Sequence, residues 1–147
     1  MLNPVWKRAW LICGALDIGF AAIVTLLNGK DLGDMLRGVA AGPFPGASQW
    51  GTGGALLGLA THFALMAVMI AVFALLLQRT ALGRMHWLVS GAIYGVALWL
   101  VMYGVVLPLR FGAPFPNPDP VRTLLWFAPH VLCVGWPAAW LLTRNRR

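Results

Sequence analysis

Residues 55–77 read ALLGLATHFALMAVMIAVFALLL, 23 positions without an Asp, Glu, Lys or Arg. A helix rises about 1.5 Å per residue and the hydrocarbon core of a bilayer is about 30 Å thick, so about 20 apolar residues suffice to cross it. Three further runs, at 9–28, 87–109 and 124–142, meet the same requirement. The stretches between them are connectors, too short for a second domain, so residues 1–147 read as one integral membrane unit. Composition agrees: hydrophobic residues make up 60% of the chain and charged residues 10%, which leaves too little polar surface for a water-soluble domain of this length.

The net charge of +7 raises the question of nucleic acid, and its distribution answers it. The basic residues sit at the ends of apolar runs rather than on a continuous patch, as in membrane proteins, so no nucleic acid is expected as a partner. Lys7, Arg8, Arg79, Arg84, Arg144, Arg146 and Arg147 flank the start of the first run, the 78–86 link and the C-terminus. Lys30, Arg37, Arg110 and Arg122 lie on the other two connectors, with Asp31, Asp34 and Asp119. Seven basic residues against four place both termini in the cytoplasm and the 29–54 and 110–123 connectors outside. The first run is too long for a signal-peptide core, is interrupted by Asp17 and lacks a small-x-small cleavage site, so it reads as a retained helix. Cys13 and Cys133 both lie inside runs, where a disulfide is not expected.

Asp31–Ala41 fits a short interfacial helix with an acidic start, broken by Gly42-Pro-Phe-Pro-Gly46. Gly51-Thr-Gly-Gly54 reads as a leader into the second run. The short 78–86 link makes the second and third runs an antiparallel hairpin. In the last connector Pro114, Pro116, Pro118 and Pro120 alternate, favouring stiff extended geometry, and Asp119-Pro120 reads as an N-cap followed by proline at the first helical position. Trp50, Trp87, Trp126 and Trp140 lie near run ends, as interfacial aromatics do. Gly54-x-x-x-Gly58 and Gly91-x-x-x-Gly95 offer small faces for close helix packing. Leu36-Arg37 before Pro43-Phe44-Pro45 and Leu109-Arg110 before Pro114-Phe115-Pro116 are alike enough to be a duplicated hairpin or chance in a Pro- and Phe-rich chain.

Ionisable residues within apolar runs are costly and turn toward the protein interior. Asp17, His62 and His130 are such residues, and Tyr103 joins them by depth. At about 1.5 Å per residue, His62 and His130 lie about 10 Å below the outer boundary, Tyr103 about 9 Å and Asp17 about 16 Å. One polar layer drawn from all four helices follows. Tyr94 and Tyr103 point to opposite sides, so at most one of them faces it. His62, Met66 and Met69 share a stripe, and His130 and Cys133 are three apart. Three readings fit. The layer is a buried hydrogen-bond cluster of Asp17, Tyr103 and the two histidines; or a bis-histidine haem b site; or a soft-metal or proton path through His62, Met66, Met69, His130 and Cys133. There is no Gly-x-Ser-x-Gly, Walker loop, His-Glu-x-x-His or Gly-x-Gly-x-x-Gly, and Asp17 has no second intramembrane carboxylate to pair with in catalysis.

The pattern Gly14-Ala-Leu-Asp17, Leu57-Gly-Leu-Ala-Thr-His-Phe63, Tyr94-Gly95 through Pro108, and Phe127-Ala-Pro-His-Val-Leu-Cys-Val-Gly-Trp-Pro137 resembles small four-helix bacterial inner-membrane proteins and, more distantly, the YagU-like family. The resemblance implies four spans and a bacterial inner-membrane location, and no biochemical activity. The expected fold is all-α: a four-helix transmembrane bundle, N-in and C-in, with Pro- and Gly-rich outer connectors. The expected function is that of a non-enzymatic accessory or stress-related membrane component without a cofactor. Its expected surroundings are the lipid bilayer and a homo-oligomer or larger membrane complex. The alternative is a small haem- or metal-binding electron-transfer subunit, and a small transporter or channel comes third.

Overall fold

The computed structural model describes residues 4–144; Arg146 and Arg147, counted above among the cytoplasmic basic residues, lie outside the described residues. The described residues form helices and connectors with no strand. Four helices are long and apolar enough to cross a membrane: α1 (Pro4–Leu27), α3 (Gly51–Arg79), α4 (Trp87–Phe111) and α5 (Pro120–Arg144). A fifth, α2 (Leu32–Ala40), fills the first long connector. Leu27, Leu56, Val68, Leu109 and Leu124 are among many large apolar side chains left exposed on the long helices. A surface of that kind matches lipid, not water.

The helix starts follow local chemistry. Asp31 caps α2, accepting from the Asp34 N–H at 2.9 Å. Asp119 caps α5, accepting from Val121 N–H at 2.9 Å and Arg122 N–H at 3.3 Å, with Pro120 at the first helical position as expected. α3 begins at Gly51, so the expected Gly-rich leader is helical instead. The reason is tertiary. Gly54 and Gly58 are buried against the Ala47 and Leu36 carbonyls of the turn at 45–49 and of α2. This small face therefore receives α2, not another long helix, and α2 packs along α3.

Among the long helices, α1 packs against α3 and α5, and α5 also packs against α4. α5 is the most enclosed, with 33% of its apolar window buried against 17–22% for the others. Its contact with α4 brings backbone onto backbone. A Cβ on Gly91 would fall 2.6 Å from the Gly135 carbonyl oxygen, and one on Gly95 2.6 Å from the His130 carbonyl oxygen. Side chains cannot come between these helices; only glycine fits. The expected α3–α4 hairpin closes differently. Their backbones stay apart along most of their length, and an aromatic pair fills the gap. The Tyr94 ring stacks on Phe73 with centroids 4.1 Å apart and planes 2° from parallel, and its hydroxyl donates to the Met69 carbonyl at 2.6 Å.

The dry core lies toward the end that carries the 78–86 link. Ala9, Cys13, Ile70, Phe73, Ala138 and Ala139 are fully buried there. At the opposite end the two connectors are tied together by Arg110, which donates from Nε to the Gly42 carbonyl at 2.6 Å and from Nη2 to the Ala41 carbonyl at 2.8 Å. The similar stretches Leu36-Arg37 and Leu109-Arg110 thus do different work, since Arg37 instead pairs with Asp34 of its own helix.

Two stretches of the long helices are wider than α. Met102–Val106 in α4 and His130–Gly135 in α5 are π-helical, and sequence patterning gave no sign of them. Each is followed by a proline two residues on, Pro108 and Pro137. A proline lacks the N–H that would meet the carbonyl four residues back, and its ring crowds that carbonyl. Widening the preceding turn relieves the clash: the Leu107 N–H reaches the Met102 carbonyl and the Trp136 N–H the Val131 carbonyl, each five residues back.

Gly95→Ala should destabilise the protein by about 1–3 kcal/mol by forcing α4 from α5. Gly19→Ala, with nothing within 4 Å of the added atom, should be neutral or stabilising by up to about 1 kcal/mol. Thermal unfolding in detergent measures both, and equal effects would contradict the close contact described.

Candidate functional site

The spacing of the polar residues along the helices delivers them to one place. Asp17, His62, Tyr103 and His130 line a single cavity of about 200 Å³, contributed by α1, α3, α4 and α5 in turn. Met66 and Met69 line it too, as the shared stripe with His62 requires, and Met35 of α2 and Met102 join them. Cys133 does not line the cavity and is half-buried on the π-helical segment. Cys13, fully buried, points its thiol to the Val134 carbonyl at 3.7 Å. Tyr94, on the other side of α4, is part of the packed core, so of the two tyrosines Tyr103 faces the layer.

The layer is gathered, but its histidines bond first to the backbone. His62 Nε2 lies 2.9 Å from the Gly14 carbonyl oxygen, across the α1–α3 contact. That reach depends on Gly14 having no side chain, because a Cβ there would sit 2.6 Å from the Phe63 ring. The neighbouring Trp10 indole donates to the Phe63 carbonyl at 2.7 Å and locks the same register. His130 Nδ1 lies 2.7 Å from the Trp126 carbonyl oxygen, one turn earlier in α5. A carbonyl only accepts, so both of these ring nitrogens carry hydrogen. The other nitrogen of each ring is then the one that can change partners. For His62 it is Nδ1, 4.0 Å from Asp17 Oδ2, an ion-pair separation too long for a direct hydrogen bond. Asp17 is within electrostatic reach of His130 as well.

Tyr103 meets the His130 ring edge-on, with centroids 5.7 Å apart and planes at 82°. It lies between two indoles, Trp99 at 6.4 Å and Trp126 at 6.5 Å, both nearly parallel to it. Trp126 is therefore a wall of the site, whereas Trp50 and Trp140 are exposed near helix ends. The Trp99 indole N–H is buried with no hydrogen-bond partner among the described residues. Sequence reasoning missed Met35, Met102 and Trp126. Their signal was faint, since Met35 belongs to a connector helix and Met102 and Trp126 are residue types common in plain helix packing and at run ends.

Above the cavity, toward the connectors, lies a wider pocket of about 380 Å³ whose charged walls include Lys30, Asp31, Asp34 and Arg122. Met35 and Trp126 line both spaces, so the two adjoin at these side chains. Among the described residues no three His, Cys, Asp or Glu side chains are grouped so as to hold one metal ion.

Asp17→Leu removes the partner of His62 Nδ1 without touching the Gly14 bond. The expected cost is about 1–3 kcal/mol, because a buried polar group loses its partner. A clear gain in melting temperature would show that Asp17 contributes nothing to the layer.

Comparisons of this chain with protein-family models, with curated proteins and with solved structures return no match.

Proposed function

We propose that the protein is a multi-pass component of the bacterial inner membrane, its four spanning helices assembled as a bundle with both termini in the cytoplasm. Its role is non-enzymatic: an accessory or stress-related membrane component that works through association within the membrane, with itself or with a larger complex. The observation that carries this reading is the Gly14–His62–Asp17 chain, 2.9 Å and 4.0 Å in its two steps. It spends the ionisable groups of the layer on fixing α1 against α3, as intramembrane polar groups do when they set helix register. The resemblance to YagU-like and similar small inner-membrane chains supports the location, and the seven-to-four distribution of basic residues supports the orientation.

The same geometry favours a hydrogen-bonded layer over the haem alternative. An axial pair requires two imidazoles facing each other across an open slot. Here His62 Nε2 is engaged by Gly14, and the cavity of about 200 Å³ is below the several hundred that a cofactor-sized ligand occupies.

Purified protein should accordingly show no Soret band, and its appearance on purification would replace this reading with electron transfer. A double-mutant cycle between Asp17→Leu and His62→Leu should give a coupling of about 0.6–1.7 kcal/mol, the range for polar pairs within membranes. Zero coupling would remove the register role. For orientation, Thr80→Cys in a background with Cys13 and Cys133 replaced should react with a membrane-impermeant thiol reagent only from the cytoplasmic side. Labelling from the opposite face would invert the topology.

A further inference from the structure

We propose that the cavity at Asp17, His62, His130 and Tyr103 binds a small organic cation, an ammonium on a short apolar body. The inference rests on the polar layer described above and assigns it a ligand. It starts from proton bookkeeping. Each histidine gives one N–H to a backbone carbonyl, His62 to Gly14 and His130 to Trp126. In the neutral imidazoles the remaining nitrogens, Nδ1 of His62 and Nε2 of His130, are lone-pair acceptors. Asp17 adds a carboxylate, with no partner among the described residues closer than the 4.0 Å to His62. Asp17, His62 and His130 line the same cavity, so an ammonium placed there offers its N–H groups to the carboxylate and to both free ring nitrogens at once.

The surroundings define what kind of cation fits. A hard metal ion is a poor match, because no three His, Cys, Asp or Glu side chains among the described residues are grouped to hold one. A soft ion on the thioethers is the competing occupant that the test below includes. The acceptors are spread along a cavity of about 200 Å³, the space of about six or seven waters at about 30 Å³ each. The remaining lining is apolar and adaptable: four thioethers, from Met35, Met66, Met69 and Met102, with the Leu65 and Leu98 side chains. Thioethers are polarizable and repack around ligands of varied shape. One end of the site thus calls for charge and the rest for hydrocarbon. Burying an ammonium is costly unless it is paired, and the Asp17 carboxylate supplies the opposite charge in place.

Access and compliance are also built in. The charged pocket above adjoins the cavity at Met35 and Trp126, the side chains that a ligand entering from that pocket would pass. Tyr103 and His130 both lie on π-helical turns, whose hydrogen bonds are already displaced from α-helical register.

The test is isothermal titration of the full-length protein, in detergent, with butylammonium chloride, butan-1-ol and sodium butyrate. Butylammonium should bind saturably, and the two isosteres, matched in size but neutral or negative, should not. Asp17→Asn, which keeps the shape, should weaken butylammonium by about tenfold or more, equivalent to about 1.4 kcal/mol. Asp119→Asn, on the connector, should leave it unchanged. If Asp17→Asn does not fold, the isostere comparison on the unaltered chain still decides. Equal binding of butanol would reduce the cavity to an apolar void, and absence of saturable butylammonium binding would overturn the proposal. Displacement of bound amine by silver ion, lost in Met66→Leu, would overturn it in favour of a soft-metal site. Failure here with positive Asp17–His62 coupling removes only the ligand and leaves the register role standing.

Discussion

The contact on which the rest of the structure depends is the meeting of α4 and α5 at Gly91, Gly95 and Gly135. Lipid offers no hydrophobic reason for two apolar helices to associate, so helices in a bilayer gain from van der Waals contact of their backbones. The gain is largest where no side chain intervenes. Here the His130 carbonyl rests on Gly95, so the imidazole of the same residue is placed by that glycine. Trp136 reinforces the register, donating its indole N–H to the Leu88 carbonyl at 3.1 Å. The site is downstream of a packing decision made by residues that never touch it.

The second dependence runs through proline. Pro108 and Pro137 each cost a helix one hydrogen bond, and in a bilayer an unpaired backbone carbonyl is expensive. The π-helical turns answer that cost by pairing five residues apart, and they rotate the side chains that follow. Tyr103 and His130 both lie on these widened turns, and both line the cavity. The arrangement is local chemistry with a functional consequence: the most distorted backbone of the two helices coincides with the ionisable layer.

The four spans were legible because their signal is thermodynamic: a run of 23 residues without charge cannot be stable as exposed surface in water. The helix starts at Asp31 and Asp119-Pro120 were legible for the same local reason, since an unpaired N–H needs an acceptor. The shared depth expected for Asp17, His62, Tyr103 and His130 came from counting residues, and these four do line one cavity. What counting could not supply was partner choice. His62 reaches the Gly14 carbonyl because Gly14 lies under Phe63, a fact about two helices at once. The position of α2 was hidden likewise: Gly54-x-x-x-Gly58 announces a close neighbour but does not say whether it is a spanning helix or the short one beside it.

The two ends of the molecule divide the work. Toward the 78–86 link, alanines, Cys13, Ile70 and Phe73 are packed without exposure, and the buried hydroxyls are satisfied, Tyr94 by the Met69 carbonyl and Ser90 by the Trp87 carbonyl. Toward the connectors, three pockets open among Lys30, Asp31, Arg122, Tyr103 and Trp126. A dense interior resists deformation, whereas a cavity-bearing one can repack at low cost. Asp17 stands at the boundary, four residues along α1 from the fully buried Cys13 and itself facing the cavity. A charge gained or lost there is felt by the compliant end and resisted by the rigid one.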